Sequence, residues 1–207
     1  MDSRYVKENI EIVVVNYNTP DLVKRLLDSW IKFDYTTVQI HIVDGSDTLE
    51  FQEKIKEVCR GIELTQLKYN IHHGPGLDFG IRQSEKEYLF LMDSDSYFTK
   101  VGLFDRLQFP ENHFGIGMIV VVNNAGFVDP AGRIQYLHPN CCLISREKYL
   151  SSNPLIKHGA PFISTMANMK FFIKDEWKII SEYVYWGVRG TAARFGYWGE
   201  LIKGVKT

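Results

Sequence analysis

Cysteine is scarce in this 207-residue chain, and its three examples (Cys59, Cys141, Cys142) form neither a Cys-x-x-Cys pair nor a Cys/His run. That scarcity argues against a disulfide framework and a structural zinc knot, and it makes a reducing, cytoplasmic setting the expected one. Long apolar runs are absent too; stretches such as Met118-Ile119-Val120-Val121-Val122 fall far short of the twenty or so residues that span a bilayer. Met1-Asp2-Ser3-Arg4-Tyr5 lacks the apolar core of a signal peptide, so no transmembrane segment or leader is expected. A formal net charge of −1 leaves no global electrostatic pull toward nucleic acid or anionic membrane. No internal repeat, low-complexity tract or linker interrupts the chain, and its length suits one domain with a sizeable core.

What is present is organised around Tyr88-Leu89-Phe90-Leu91-Met92-Asp93-Ser94-Asp95. The apolar run has the look of a buried central strand, and it ends in two carboxylates one residue apart. A period of two puts Asp93 and Asp95 on one side of the chain, at or just past the strand end. Two hard oxygen ligands there can hold Mg²⁺ or Mn²⁺ against a diphosphate. An ordinary surface turn of Asp and Ser competes with that reading.

Further strands and helices alternate around it. Glu11 to Val15 is β-branched and reads as a first buried strand, ending in Asn16-Tyr17-Asn18. Thr19-Pro20-Asp21 then opens a helix with a Thr cap and Pro at its first position, and Leu22, Val23, Leu26, Leu27 and Trp30 form its apolar stripe. Val38 to Val43 gives a second strand; Asp47 with Glu50 fits a capping box for the next helix. A third short strand is expected near Glu63 to Tyr69, followed by the Gly-rich turn His72 to Gly80 and a helix reaching about Lys86. His72 and His73 read as loop residues. The alternation predicts a largely parallel α/β sheet with helices on both faces, whose polar loops follow the carboxyl ends of strands.

The second half is less regular. Gly117 to Val122 reads as a strand, and Arg133 to Leu137 with Cys141 to Ser145 as a strand pair flanking His138-Pro139-Asn140. Ser145 to Leu150 starts a short helix, and Asp175-Glu176-Trp177 opens another with Trp177, Ile180 and Val184 on one face.

In order, Val13-Val14-Val15-Asn16-Tyr17-Asn18, Ile42-Val43-Asp44-Gly45-Ser46, Gly74-Pro75-Gly76-Leu77-Asp78-Phe79-Gly80 and Phe90 to Asp95 resemble the GT-A glycosyltransferases, most closely glycosyltransferase family 2. Cys142 to Glu147 is similar to that family's later strand-to-helix segment, and the resemblance covers roughly residues 10–150. It implies a Rossmann-like GT-A fold: a mixed, mostly parallel sheet flanked by helices, with a smaller acceptor-side C-terminal part. The whole chain would be one such domain, about 1–100 binding the nucleotide sugar and about 101–207 the acceptor.

The implied activity is metal-dependent, inverting hexosyl transfer from a nucleoside-diphosphate sugar, a UDP-sugar first, to an acceptor hydroxyl. Asp95 assisted by Asp93 would carry Mn²⁺ or Mg²⁺, and Ser94 would lie on the donor. Asn16, Tyr17 and Asn18 would lie against base or ribose, and Asp44 would accept from the base. Gly74 and Gly76 would let the backbone approach the nucleotide. Asp78 stands where the family often has Asn; a helix N-terminal acid is its plainer reading. The base that takes the acceptor proton would be Asp175, then Glu176, then Glu182, although acids in a first helical turn are common without catalysis. The acceptor is open among a saccharide, a lipid-linked sugar, a protein or a modified DNA base, and the short chain disfavours a polysaccharide synthase. Two other readings stand beside this one. A non-catalytic nucleotide-sugar-binding domain would bind without turnover. A nucleotidyltransferase would want a basic, Gly-rich loop after the first strand, where Asn16 to Pro20 is not one.

Overall fold

A computed structural model describes residues 7–109, 113–123, 131–132, 134–155, 180, 182 and 184–185. Six strands form one sheet in the order β3-β2-β1-β4-β7-β6. In chain order they are β1 (Ile10–Asn16), β2 (Gln39–Asp44), β3 (Glu63–Gln66), β4 (Tyr88–Asp93), β6 (Gly115–Val122) and β7 (Ile134–Ser145). β1 pairs in parallel with β2 and β4, β2 with β3, while β7 runs antiparallel to both β4 and β6. This is the mixed, mostly parallel sheet expected of the sequence.

Strand identity follows from burial on both faces. All but one residue of Ile10–Asn16 is buried, as is Tyr88–Met92, and such strands hold together through runs of β-branched and large aliphatic side chains. Helix α1 (Pro20–Lys32) covers one face with Val23, Leu26, Leu27 and Trp30 against Ile12, Val14, Ile40 and Ile42. Each such fully buried aliphatic side chain is worth about 1.5–3 kcal/mol of burial. Helix α2 (Leu49–Val58) adds Ile55 to the same cluster. Helix α3 (His73–Gln83) covers the opposite face, where Leu77 and Ile81 meet Val13, Leu89 and Leu91. α3 approaches the sheet closely because Gly76 and Gly80, which face it, have no side chain. A Cβ on Gly80 would stand 2.5 Å from Val13 Cγ1, and one on Gly76 2.8 Å from Val15 Cγ1.

The structure redraws several local expectations. α2 is capped by Thr48, whose hydroxyl accepts from the Phe51 amide, and not by Asp47, whose carboxylate is engaged elsewhere. α3 starts at His73, so the glycine-rich stretch lies inside the helix rather than ahead of it; Pro75 falls in the first turn, where a missing N–H is harmless. The expected strand pair around His138-Pro139-Asn140 is one continuous strand, β7, with the irregularity absorbed opposite Gly117 and Ile119 of β6. A bulge is where a sheet tolerates proline. A short helix α4 (Leu103–Arg106) follows β5 (Tyr97–Phe98), and the expected short helix, α5 (Arg146–Leu150), is capped by the Ser145 hydroxyl. Val184 lies not on a helix but in β8 (Val184–Tyr185), antiparallel to β5. Among the described residues no helix is long and apolar enough to cross a membrane.

Candidate functional site

The strand order places a switch point between β1 and β4, since β2 and β3 extend from one side and β7 and β6 from the other. In open α/β sheets the crevice past the carboxyl ends of the two central strands is where ligands bind. Here those ends carry polar residues at a common level. Asn16, Asp44 and Gln66 are successive register partners across β1, β2 and β3, and Asp93 stands opposite Val15 on β4.

Asp44 organises the floor. Its Oδ1 accepts from Asn16 Nδ2 (2.8 Å), Ser46 Oγ (2.7 Å) and the Ser46 amide (3.2 Å), and its Oδ2 from Gln66 Nε2 (3.3 Å). The carboxylate is buried and both its oxygens accept from protein donors, which hold the floor of the crevice in shape. The other oxygen-bearing end of Asn16 accepts from the Thr19 hydroxyl at 2.6 Å, and that hydroxyl lies 3.3 Å from Ser94 Oγ. The hydroxyl expected to cap α1 therefore bridges β1 to the loop after β4. Gln66 carries no motif of its own and is revealed by the register, while the contacts of Ser46 and Thr19 show what these two motif residues hold in place.

One rim is built by the loop after β1. Tyr17 donates its hydroxyl to Asp47 Oδ2 (2.7 Å), and Asn18 Nδ2 donates to Asp47 Oδ1 (3.0 Å). Asn18 sits in left-handed backbone at φ 54°, which Asn tolerates better than most residues. Its amide donates to Ser46 Oγ at 3.1 Å. The hydrogen bonds from Asn18 and Tyr17 hold the Asp47 carboxyl below its ordinary range, and the Asp47 carboxylate raises the Tyr17 phenol. Tyr17 and Tyr69 are both exposed aromatics on this part of the surface.

The opposite rim contains the paired acids. β4 ends at Asp93, and the Ser96 amide donates to the Asp93 carbonyl (2.9 Å), so Asp95 occupies the turn rather than a second strand position. Asp95 is nearly buried while Asp93 is partly open. Arg25 of α1 donates Nη2 to the Asp95 carbonyl (3.1 Å) and stacks over the Tyr97 ring at 4.6 Å, which fixes that turn to the helix. His73, read from sequence as a loop residue, opens α3 and brings Nε2 within 3.2 Å of Asp93 Oδ1. The neighbouring His72 has φ 67°, a left-handed conformation that turns the chain into the helix beside the acids.

Three of the residues expected at the donor also make contacts within the fold. Gly76 makes room for Val15, and Gly74 is buried in the first turn of α3. Asp78 lies beyond that first turn, where both its oxygens accept from Arg82 Nε at 3.0 Å and Oδ1 accepts from the Tyr149 hydroxyl at 2.5 Å. The Asp78 contact ties α5 to α3, and Tyr149 also accepts from the Leu155 amide. Asp175 and Glu176 lie outside the described residues. Glu182 is described, and its carbonyl accepts from the Thr99 hydroxyl at 3.2 Å.

Asp93 and Asp95 fit a hard divalent cation by chemistry. Mg²⁺ and Mn²⁺ take carboxylate oxygens, and ions that bridge to a substrate diphosphate need only one or two of them. The open aspect of Asp93 leaves room for such a bridge.

The sequence profile described as "Glycosyl transferase family 2" matches residues 11–166. The poly(ribitol-phosphate) beta-N-acetylglucosaminyltransferase TarS of Staphylococcus aureus is 29% identical over 109 residues, which cover 49% of this chain and 19% of that protein. Among solved structures, the mannosyltransferase PcManGT from Pyrobaculum calidifontis, in complex with GDP-Man and Mn²⁺, superposes with a TM-score of 0.58 at 12% identity. That match covers 79% of this chain and 54% of the other. Residues 1–349 of S. aureus TarS, in complex with UDP-GlcNAc, superpose with a TM-score of 0.52 at 16% identity, covering 86% and 58%. This chain thus spans about a fifth of the curated relative it matches and just over half of these structures. They share its fold, a mostly parallel Rossmann-like sheet of the GT-A type.

Proposed function

Because the chain belongs to glycosyl transferase family 2, we propose that it moves a hexosyl group from a nucleoside-diphosphate sugar, first a UDP-sugar, to an acceptor hydroxyl with inversion. The observation that carries this is the crevice at the β1/β4 switch point, with a polar, cross-linked floor on one side and Asp93 with Asp95 on the other. A nucleoside needs shaped hydrogen-bonding walls; a diphosphate needs cation-bearing acids beside them.

In this reading Tyr17, Asn18 and Asn16 flank the base and ribose, Asp44 keeps their loops in place, and Ser94 meets the donor near the phosphates. Asp93 and Asp95 would hold Mn²⁺ or Mg²⁺. When bound, that ion supplies Lewis-acid stabilisation of the charge that develops on the leaving diphosphate. Arg25 keeps the Asp95 turn rigid, so the carboxylates need not reorganise as charge develops.

Inversion requires direct displacement: the acceptor oxygen bonds to the anomeric carbon as its bond to the diphosphate oxygen breaks, and a carboxylate takes the acceptor's proton. Asp175 is proposed for that proton, with Glu176 next. Residues from about 101 onward would form the acceptor side of a single domain, taking a saccharide, lipid-linked sugar, protein or modified DNA base. The free, buried thiols Cys59, Cys141 and Cys142 support a cytoplasmic setting.

The test is a hydrolysis screen of UDP-, GDP-, dTDP- and CDP-sugars with Mn²⁺ on wild type, Asp95→Ala and Asp175→Ala. Metal-dependent release of one nucleotide, lost in Asp95→Ala, supports the reading. Loss of turnover with retained nucleotide binding in Asp175→Ala supports the base. Binding without turnover of any sugar by wild type would favour a non-catalytic binding domain instead.

A further inference from the structure

At the other end of the same strands, a second set of ligating side chains converges on the α3 face of the sheet. His41 of β2 stands opposite Val13 of β1 and Glu63 of β3, so Glu11, two residues before Val13, is its diagonal neighbour. The ligand atoms of Glu11, His41 and Glu63 all lie within 4.8 Å of one another. Glu11 and His41 are buried, at 4% and 1% exposure, in a sheet otherwise lined by aliphatic residues.

The imidazole is oriented from behind. His41 Nε2 shares a 2.9 Å hydrogen bond with Thr65 Oγ1, which leaves Nδ1 on the side of Glu63. Nδ1 is buried without a hydrogen-bond partner, and its approach to Glu63 Oε1 is 4.0 Å, too long for a hydrogen bond. A buried ring nitrogen facing two acids across such gaps is an expensive arrangement when empty. A cation at its centre would use every one of these features.

We propose that Glu11, His41 and Glu63 form a zinc-class divalent metal site that joins β1, β2 and β3, separate from the donor crevice. One imidazole and two carboxylates make the mixed nitrogen and oxygen set that Zn²⁺ accepts, at about 2.0–2.2 Å per ligand. The Thr65 bond is the kind of outer contact that fixes the tautomer of a ligating histidine. Glu63, whose side chain is 59% exposed, can swing inward to close the present gaps and leaves a position open to water. Two negative carboxylates against one neutral ring match a divalent charge. Asn16 ends β1 five residues beyond Glu11, roughly 17 Å along the strand, so this ion would play no part at the diphosphate.

The experiment uses the full chain carrying Asp93→Ala and Asp95→Ala, which removes the crevice ligands, and Zn²⁺ alone as probe. Equilibrium dialysis with elemental analysis should find one bound equivalent, and Zn²⁺ should raise Tm by several degrees. Adding Glu63→Gln, an exposed change that spares the fold, should weaken binding at least tenfold and abolish the Tm shift; His41→Gln should do the same. In the wild-type background the His41→Gln chain should bind one zinc fewer than its parent. No retained zinc, or zinc retained equally in Glu63→Gln and His41→Gln, would overturn the proposal.

Discussion

Asn16 donates its side-chain amide to Asp44 Oδ1 at 2.8 Å across a parallel register pair, and both residues are fully buried at the carboxyl edge of the sheet. Asp44 thereby joins the ends of β1, β2 and β3 through Asn16, Ser46 and Gln66. Asp44→Ala leaves these neutral donors buried and unmatched, and should lower stability by about 1–3 kcal/mol, the usual cost of stranding buried hydrogen-bonding groups. Chemical denaturation checks the stability. Where the variant still folds, nucleotide affinity should fall at least tenfold, since the loops that flank the base would lose their anchor.

The α3–sheet contact makes a second prediction. Val13 is stiff at χ1 and buried, so it cannot yield to a Cβ placed 2.5 Å from its Cγ1. Gly80→Ala should therefore destabilise by about 1–3 kcal/mol, even though alanine is the better helix former. A melting temperature equal to wild type or higher would show that α3 does not pack as described.

Tyr17 and Asp47 give a pH signature. Hydrogen bonds from Asn18 and Tyr17 lower the Asp47 carboxyl below its ordinary value of 3.8. A group depressed in the fold contributes stability above its unfolded value, and that contribution is lost as pH falls through the lowered one. Tyr17→Phe should move the Asp47 titration upward, toward its ordinary value, in a carboxyl-carbon NMR titration. An unchanged titration would remove the Tyr17 contact from the rim.

The three thiols supply a test of burial. Burial pushes the Cys59 thiol up to about 12, with the Asp44 charge adding to it, and burial raises Cys142 well above its usual range. Only thiolates react quickly with disulfide reagents. Native protein at pH 8.5 should show no fast-reacting thiol, and denatured protein all three. Rapid labelling of Cys59 in the native state would contradict its buried place at the C-terminal end of α2.

Much of the donor half is legible in the sequence, because buried parallel strands must be written as β-branched and aliphatic runs. Val13-Val14-Val15 and Leu89 to Met92 announce β1 and β4 and, through the polar residues that end them, the crevice. Cross-strand partners are different. Nothing local distinguishes Gln66 as a prop for Asp44, or gathers Glu11, His41 and Glu63; register alone does so. Thr48 displaced Asp47 as the α2 cap because the carboxylate has better partners in Tyr17 and Asn18. The glycines on either side of Leu77 look like a turn by propensity, yet α3 needs Gly76 to lie against Val15 and Gly80 against Val13. Pro139 suggested a break, but a bulged strand accommodates it.

The central claim is that Asp93 and Asp95 hold a divalent ion against the diphosphate of a nucleotide bound in the β1/β4 crevice. Calorimetric titration of UDP into the full chain, with Mn²⁺ and with chelator, on wild type and Asp95→Ala, tests it most directly. Wild type should bind UDP at least a hundredfold more tightly with Mn²⁺ than without, and Asp95→Ala should lose that gain while keeping its fold. Equal UDP affinity with and without Mn²⁺, or an undiminished Mn²⁺ effect in Asp95→Ala, would contradict it.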